Sequence, residues 1–157
     1  MKKKYELTEE TTEVNGRILH RIKAVRDFGC VKAGYLGGFI QKEENLSQEG
    51  NAWVYGDAKV YDNANVYDNA NVYGDARVCG DAEIKNNTDY IVFKNFWSSG
   101  RFFTWTRSNN MWKVGCFYGT GEELIKKAYE DSKKSGREYE RVVRYVESIL
   151  ADERKEE

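Results

Sequence analysis

The sequence is notable first for residues that it has few of. It contains no proline, a single histidine and three cysteines in 157 residues. Without proline, nothing predicts a stiff linker between domains. The three cysteines, Cys30, Cys79 and Cys116, are odd in number, far apart and free of any Cys-x-x-Cys pair. This pattern favours reduced thiols over a disulfide framework or a zinc site.

Net charge and long apolar runs are also missing. The 25 basic and 26 acidic residues leave a formal charge of −1, so no global field attracts nucleic acid or an anionic membrane. No run approaches the ~20 apolar residues of a membrane span, and the first residues lack the apolar region of a secretory signal. We therefore expect a cytoplasmic protein with no membrane association and no strong nucleic-acid signal.

The most informative stretch is a sixfold repeat. Residues 50–85 divide into the hexads GNAWVY, GDAKVY, DNANVY, DNANVY, GDARVC and GDAEIK. The third column is always alanine and the fifth is always β-branched, so each Ala-x-Val segment alternates like a very short strand with two inward residues. Gly, Asp and Asn precede the alanine, and these residues tolerate left-handed backbone at a tight corner. A strand this short buries almost no apolar surface by itself. The pattern therefore predicts stacked coils in which alanine packs on alanine and valine on valine.

The repeat resembles the hexapeptide repeat of left-handed parallel β-helices, in which three hexads form one triangular coil. The same phase places Ile40 and Leu46 upstream in the alanine column. Downstream, it places Thr88 in the alanine column and Tyr90 in the valine column. The resemblance therefore implies a hexapeptide-repeat β-solenoid over residues 40–90, with roughly three coils and two open ends.

Aromatic residues of the repeat are the first candidate binding residues. With three hexads per coil, Tyr55 and Tyr73 share one face, while Tyr61 and Tyr67 lie on the other two. Trp53 occupies the outward fourth column and joins them. An aromatic stripe of this kind binds a partner or covers the solenoid against another part of the same chain, and the sequence leaves both open.

The segments on either side of the repeat have different patterns. Within residues 1–39, Asn15-Gly16 between β-rich arms predicts a hairpin. Within residues 91–157, three strands (89–96, 101–108 and 111–119) precede two helices (121–134 and 137–151). Thr120 and Glu123 have the spacing of a capping box, and Ser135-Gly136 separates the helices. The predicted fold is mainly β, with a hairpin, a short solenoid and an α+β cap over the last coil.

A second resemblance concerns origin. The phrases RIKAVRDFG, GGFI, EENLS and GNAWV, at 21–29, 37–40, 43–47 and 50–54, resemble a family of phage and prophage hexapeptide-repeat proteins. The likeness covers about residues 17–85, and WKVGCFYGTGEEL at 112–124 resembles a C-terminal segment common in phage proteins. Because that family is largely without an assigned function, the resemblance implies fold and phage origin more than activity.

Enzymatic motifs are sparse. Many hexapeptide-repeat proteins are acyltransferases that use a histidine base, but the single histidine, His20, lies well before the first coil. The chain also lacks a long loop projecting from the repeat, and no P-loop, GxGxxG, HExxH or GxSxG motif is present. We therefore predict a protein that is not an enzyme and uses no cofactor or metal.

One cluster of polar and aromatic residues suggests a ligand. Ser99, Arg101, Thr104 and Trp105 fall within a few residues, and Thr120 begins a helix whose backbone N–H groups suit an anion. Arg101 would pair with the charge of a phosphate or nucleotide while a ring stacks on its base. The alternative is a sheet with one polar and one aromatic face.

Three functional hypotheses follow. The first is a non-enzymatic phage or prophage protein that binds and inhibits a bacterial host protein, for example a CRISPR effector or another antiviral defence factor. The second is a protein that binds a small, nucleotide-like anion at Arg101 and Thr120 or between copies in a homo-oligomer. The third is a degenerate hexapeptide acyltransferase. The sequence leaves the oligomeric state open.

Overall fold

The chain enters the fold as a hairpin. A computed structural model describes residues 3–156, and its first two strands, β1 (Tyr5–Val14) and β2 (Arg17–Ala24), pair antiparallel. The turn residues Asn15 and Gly16 have φ of 50° and 84°, values that asparagine and glycine tolerate best. The predicted hairpin is confirmed.

Six strands of two residues each follow the longer strand β3 (Leu36–Ile40). They pair in parallel with a fixed offset of 18 residues: Trp53 lies opposite Asn71, Lys59 opposite Arg77, and Asn65 opposite Glu83. Three hexads therefore make one turn of a three-sided coil. The strands are β4 (Trp53–Val54), β5 (Lys59–Val60), β6 (Asn65–Val66), β7 (Asn71–Val72), β8 (Arg77–Val78) and β9 (Glu83–Ile84).

The interior of the coil contains only the alanine and β-branched columns. Every alanine from Ala52 to Ala82 and every Val or Ile from Val54 to Ile84 is at most 1% exposed. The first column forms the corners, where Gly50, Gly56, Asp62, Asp68, Gly74 and Gly80 all have positive φ. Glycine carries no penalty there and aspartate a small one, which explains why only these two residues occupy the column. The predicted inward columns and corners are confirmed.

The predicted phase is wrong on both sides of the repeat. Ile40 and Leu46 lie opposite Val60 and Val66, so they extend the valine column and not the alanine column. The offset is 20 residues because two extra residues lie between Leu46 and Val54, at the corner before β4. Downstream, parallel pairing ends with β9.

The C-terminal sheet is antiparallel and starts where a further coil was expected. Its strands are β10 (Tyr90–Lys94), β11 (Phe102–Thr106), β12 (Met111–Val114) and β13 (Phe117–Gly119). Tyr90 therefore begins an antiparallel strand and adds no coil. The predicted third strand is in fact the β12–β13 hairpin, which turns at Gly115 with φ of 55°.

Two helices cover one side of this sheet. Thr120 accepts a hydrogen bond from the Glu123 N–H and so caps α1 (Gly121–Asp131), as predicted. The predicted break at Ser135-Gly136 is wrong, because α2 (Lys133–Lys155) begins after Ser132, whose hydroxyl accepts from the Ser135 N–H. Gly136 lies inside α2, where an added Cβ would be 2.2 Å from the Tyr129 ring. Neither helix is long and apolar enough to span a membrane, a finding that holds for residues 3–156.

Alternation along β11 and β12 gives the sheet two different faces. Phe103, Trp105 and Trp112 are buried against Leu124 and Val143 of the helices. Thr104 and Lys113 lie opposite each other and point the other way, toward the coil. The aromatic face therefore forms a second core, while the polar face meets the last turn of the coil.

Backbone hydrogen bonds connect each turn of the coil to the next. The N–H groups of Trp53, Lys59 and Asn65 donate to the carbonyls of Ala70, Ala76 and Ala82, at 2.9–3.1 Å. Each donor belongs to one coil and each acceptor to the next. The last coil therefore has N–H groups without a following coil, and the first has carbonyls without a preceding one, and such groups need partners when buried.

Side-chain oxygen atoms bind the N–H groups of the last coil. Each acceptor lies in the chain after the repeat and stands where a backbone carbonyl of a further coil would be. The pairs are Asn71 N–H to Asn87 Oδ1, Tyr73 N–H to Tyr90 Oη, Arg77 N–H to Thr104 Oγ1, Glu83 N–H to Ser108 Oγ and Lys85 N–H to Asp89 Oδ2, at 2.7–3.0 Å.

Hydrogen-bond donors cap the carbonyl groups of the first coil. The Lys4 ammonium donates to the Ala52 carbonyl at 2.7 Å, and the Asn45 amide donates to the Ala64 carbonyl at 2.7 Å. The Phe39 N–H of β3 donates to the Ala58 carbonyl on the remaining face. Donors thus close the first coil, whereas the last coil is closed mainly by acceptors, together with the Tyr90 hydroxyl, which also donates to the Asn71 carbonyl at 2.9 Å.

Replacing Thr104 by Val tests the acceptor end. The change preserves shape but leaves the partly buried Arg77 N–H without an acceptor, so we expect the free energy of unfolding to fall by about 1–2 kcal/mol. The matched control is Thr11→Val, on an exposed position of β1. Urea denaturation measures both, and equal stability of the two variants would contradict the capping role.

Replacing Lys4 by Met tests the donor end. Burial, and then the charge of Arg26, lower the pKa of Lys4 from 10.5 to about 8. Between these values the unfolded chain holds a proton that the folded chain has lost, so the stability of the wild type rises with pH. The difference in unfolding free energy, wild type minus Lys4→Met, should therefore increase between about pH 8 and 10.5. A difference that is constant with pH would show that Lys4 is not buried in the folded state.

Candidate functional site

The tyrosine column divides between surface and interior. Tyr55 and Tyr73 stack with ring centroids 4.7 Å apart and an interplanar angle of 13°, which confirms that they share a face. Tyr73 is 49% exposed, while Tyr55 and Tyr67 are partly buried. The Tyr55–Tyr73 stack leaves one broad aromatic surface on this corner of the coil.

Two predicted binding residues, Trp53 and Tyr61, are not at the surface. Trp53 is fully buried, with the Phe28 ring 5.2 Å and the Tyr5 ring 6.2 Å away. Tyr61 is 1% exposed and packs with Leu19 of β2. Of the two alternatives that the sequence left open for the aromatic stripe, these two residues follow the second, because the N-terminal hairpin and the loop after it cover their faces of the coil. Neither can therefore bind a partner at the surface.

Three residues of the predicted anion site have structural partners. Thr104 accepts from the last coil, and the Trp105 indole N–H donates to Asn110 Oδ1 at 2.7 Å within the second core. The Ser99 hydroxyl accepts from the Arg101 N–H and shapes the β10–β11 turn. Thr104 and Trp105 are buried, so neither can contact a ligand at the surface.

Thr120 and Arg101 do not form one site. They line separate hollows, with Thr120 beside Trp112 and Glu122. The Glu123 carboxylate accepts from the Thr120 N–H, and this bond lowers the pKa of Glu123. Because the helix end already holds a carboxylate of its own chain, the prediction of an external anion there is wrong.

Arg101 instead meets two cations of the coil. Lys59 of β5 and Arg77 of β8 occupy the outward fourth column of one face, directly opposite each other in neighbouring coils. Parallel neighbours are about 4.8 Å apart. Together with Arg101 they line a hollow of about 190 Å³, closed by Asp75 and Phe102.

The cations of this hollow lack close carboxylate partners. Within residues 3–156, neither Arg77 nor Arg101 forms an ion pair, whereas Arg21 and Arg144 do. The Lys59 ammonium donates to the Asp57 carbonyl. Burial, and then the neighbouring charge of Arg77, lower the pKa of Lys59. Asp75 is the one carboxylate among the lining residues, and Asp57, whose charge also acts on Lys59, is paired with Arg21, so the hollow carries an excess of positive charge.

An aromatic hollow adjoins the cationic one. It has a volume of about 490 Å³ and is lined by Tyr73, Tyr90 and Phe102 among others. Asp75 and Phe102 belong to both hollows. Phe102 is 45% exposed, so its ring is open to a ligand. We call this composite surface the junction face, formed by Lys59, Tyr73, Asp75, Arg77, Arg101 and Phe102.

Sequence reasoning missed Lys59, Arg77 and Phe102 as site residues. The signal for the first two was present, since basic residues 18 positions apart in a three-hexad coil must lie on the same face. Phe102 alternates with the aromatic residues of the second core, and only the register of β11 shows that it points toward the coil.

A larger hollow, of about 700 Å³, lies on another corner. Its polar groups already have partners: Asp62 pairs with Arg17 and accepts from the Gly80 N–H, and Asn109 donates to Asp81 and to the Tyr118 hydroxyl. Lys42 likewise donates to Asn63 Oδ1. Because these polar groups are hydrogen-bonded within the chain, the groove is a weaker candidate than the junction face.

The groups available for catalysis are dispersed. His20 Nδ1 lies 3.1 Å from the Thr8 carbonyl, within the hairpin and outside both hollows of the junction face. Burial raises the pKa of the Cys79 thiol, which disfavours its nucleophilic form. Cys116 is exposed on the β12–β13 turn. The residues that line the junction face include Asp75 and Lys59 but neither His20 nor any of the three cysteines.

Comparison with known proteins gives one partial likeness. No protein-family model matches the chain. It is 39% identical over 61 residues to a protein of Escherichia coli K12 named "uncharacterized acetyltransferase YdcK". The match covers 34% of this chain and 19% of that protein's length. Acetyltransferases of this kind typically contain hexapeptide repeats, so the likeness supports a hexapeptide-repeat relationship in part of the chain. The phage origin stays a prediction.

Replacing Arg77 by Gln tests the charge of the junction face. Removing one of three crowded cations relieves repulsion, so we expect the free energy of unfolding to rise by about 0.5 kcal/mol at low ionic strength, and the gain to shrink as salt is added. The control is Arg141→Gln, which removes an exposed ion pair with Glu138 and should not stabilise the chain. Urea denaturation across a salt series measures both. A destabilised Arg77→Gln would indicate that Arg77 has a carboxylate partner in solution.

Proposed function

We propose that this protein is a non-enzymatic binding protein that holds an anionic partner at the junction face. A coil of hexapeptide repeats, left-handed as in the proteins it resembles, provides a rigid scaffold. The observation that carries the proposal is the set of three cations, Lys59, Arg77 and Arg101, gathered without matching carboxylates beside exposed rings. Keeping like charges together disfavours folding, so their placement favours a role in binding.

The partner expected first is a bacterial host protein. Arginine and aromatic residues are enriched where proteins meet, and the junction face offers Arg77, Arg101, Tyr73 and Phe102 at one place. A phage protein acting in the bacterial cytoplasm would use such a surface to inhibit an antiviral defence factor, of which a CRISPR effector is one example. Only the sequence resemblance to phage proteins supports this identity of the partner.

An acyltransferase activity is the weaker candidate. The similarity to the E. coli protein favours it, since that protein is named an acetyltransferase. A transferase of this type needs a general base within reach of its acceptor. His20 is instead engaged with the Thr8 carbonyl of its own hairpin. The junction face therefore supports binding better than it supports acyl transfer.

Capture from bacterial lysate tests the binding role. The immobilised wild-type chain is compared with Arg77→Glu/Arg101→Glu and with the control Arg141→Glu, and both proteins and small molecules that are retained are identified by mass spectrometry. We expect a species that the wild type and the control retain and the double variant loses. Identical profiles from all three chains, or acetyl transfer from acetyl coenzyme A by the wild type, would overturn the proposal.

A further inference from the structure

We infer that the ligand of the junction face is a nucleotide-like molecule, with its phosphate among Lys59, Arg77 and Arg101 and its base against Phe102 and Tyr73. The inference rests on the proposed binding function, and it assigns the junction face a nucleotide-like ligand in place of the host protein expected from the sequence resemblance. It places the anion away from Thr120, at a site that includes two residues of the coil.

The cationic hollow has the chemistry of a phosphate site. Two guanidinium groups and one ammonium line about 190 Å³. Arginine offers planar, charge-assisted donors that match phosphate oxygens, and lysine adds a point charge. Lys113 of β12 does not line the hollow, but its charge is close enough to act on Arg77. It is buried, burial lowers its pKa, and in its charged form it adds positive potential near the hollow.

The adjoining hollow has the chemistry of a base site. Its aromatic walls include Tyr73 and Phe102, each about half exposed. Aromatic rings on which a base can stack are the common means of holding nucleobases irrespective of sequence. Lys94 lies over the Phe102 ring at 6.0 Å and adds a further cation near this wall. The two hollows together fall within the range of about 300–1,000 Å³ typical of small-molecule sites.

The position of Asp75 favours a nucleotide over an acidic peptide. Its carboxylate lines both hollows, between the cations and the aromatic wall. A carboxylate there repels the side chains of a peptide rich in Asp and Glu. It accepts hydrogen bonds from the hydroxyl groups of a ribose, which lies between phosphate and base in any nucleotide. A ligand with negative, hydroxyl and aromatic parts in that order fits the three neighbouring environments.

Isothermal titration calorimetry with ADP, pyrophosphate and adenosine at low salt tests the inference. We expect ADP to bind more tightly than either fragment, and its affinity to fall at least about tenfold in Arg77→Gln and in Arg101→Gln. Phe102→Ala should lower the affinity for ADP by a similar factor and leave the affinity for pyrophosphate unchanged. The matched controls are Arg141→Gln and Phe96→Ala, an exposed ring that lines neither hollow. Circular dichroism confirms that each variant is folded.

Each other outcome decides against the inference. If ADP and pyrophosphate bound with equal affinity, and Phe102→Ala changed neither, the hollow would be a simple anion site that does not bind the base. If ADP did not bind but the Arg77→Glu/Arg101→Glu variant still lost its partner from lysate, the nucleotide assignment would be overturned and the binding function would stand. Tighter binding of an acidic peptide than of ADP would have the same consequence. Absence of both ADP binding and variant-sensitive capture would overturn the inference and the proposed function together.

Discussion

The structure depends on closing the backbone hydrogen bonds at the two ends of the coil. In parallel strands, alternate residues direct their N–H and C=O groups to opposite neighbouring strands, so both ends of the stack have unmet hydrogen-bonding needs. The chain meets them with different chemistry: Lys4 and Asn45 supply donors at the first coil, and Thr104 and Ser108 supply acceptors at the last. Because the stack has so few coils, a large share of its backbone groups lies at the two ends. Capping these ends therefore determines whether the repeat is stable.

The candidate site is a by-product of the same closure. To offer the Thr104 hydroxyl to the last coil, β11 must lie across the end of the β5–β8 face. Strand alternation then turns Phe102, two residues earlier, toward the coil, and brings Arg101 beside Lys59 and Arg77. Lys59 and Arg101, more than forty positions apart in the chain, therefore come together because β11 supplies an acceptor for a backbone N–H of the last coil. A site at such a junction is held by the scaffold rather than by flexible loops.

Sequence predicts the parts of this fold that are local or periodic. The six-residue period fixes which side chains face inward, because any other register would bury the polar fourth column. Asn15-Gly16 likewise determines its own turn. Trp53 and Lys59 occupy the same column, however, and only the distant residues Tyr5 and Phe28 make one buried and leave the other accessible. Proximity in sequence was also a poor guide to the site, since Arg101 and Thr120 are close in the chain but line separate hollows.

Amide hydrogen exchange measured by NMR tests the closure most directly. If side-chain oxygens replace a further coil, the Arg77 and Glu83 amides of the last turn should exchange as slowly as the Lys59 amide, which donates to a backbone carbonyl inside the stack. Exchange of Arg77 and Glu83 at the rate of open surface amides, with Lys59 still protected, would show that the last coil is uncapped. The C-terminal sheet would then not be docked as described, and the junction face would not exist.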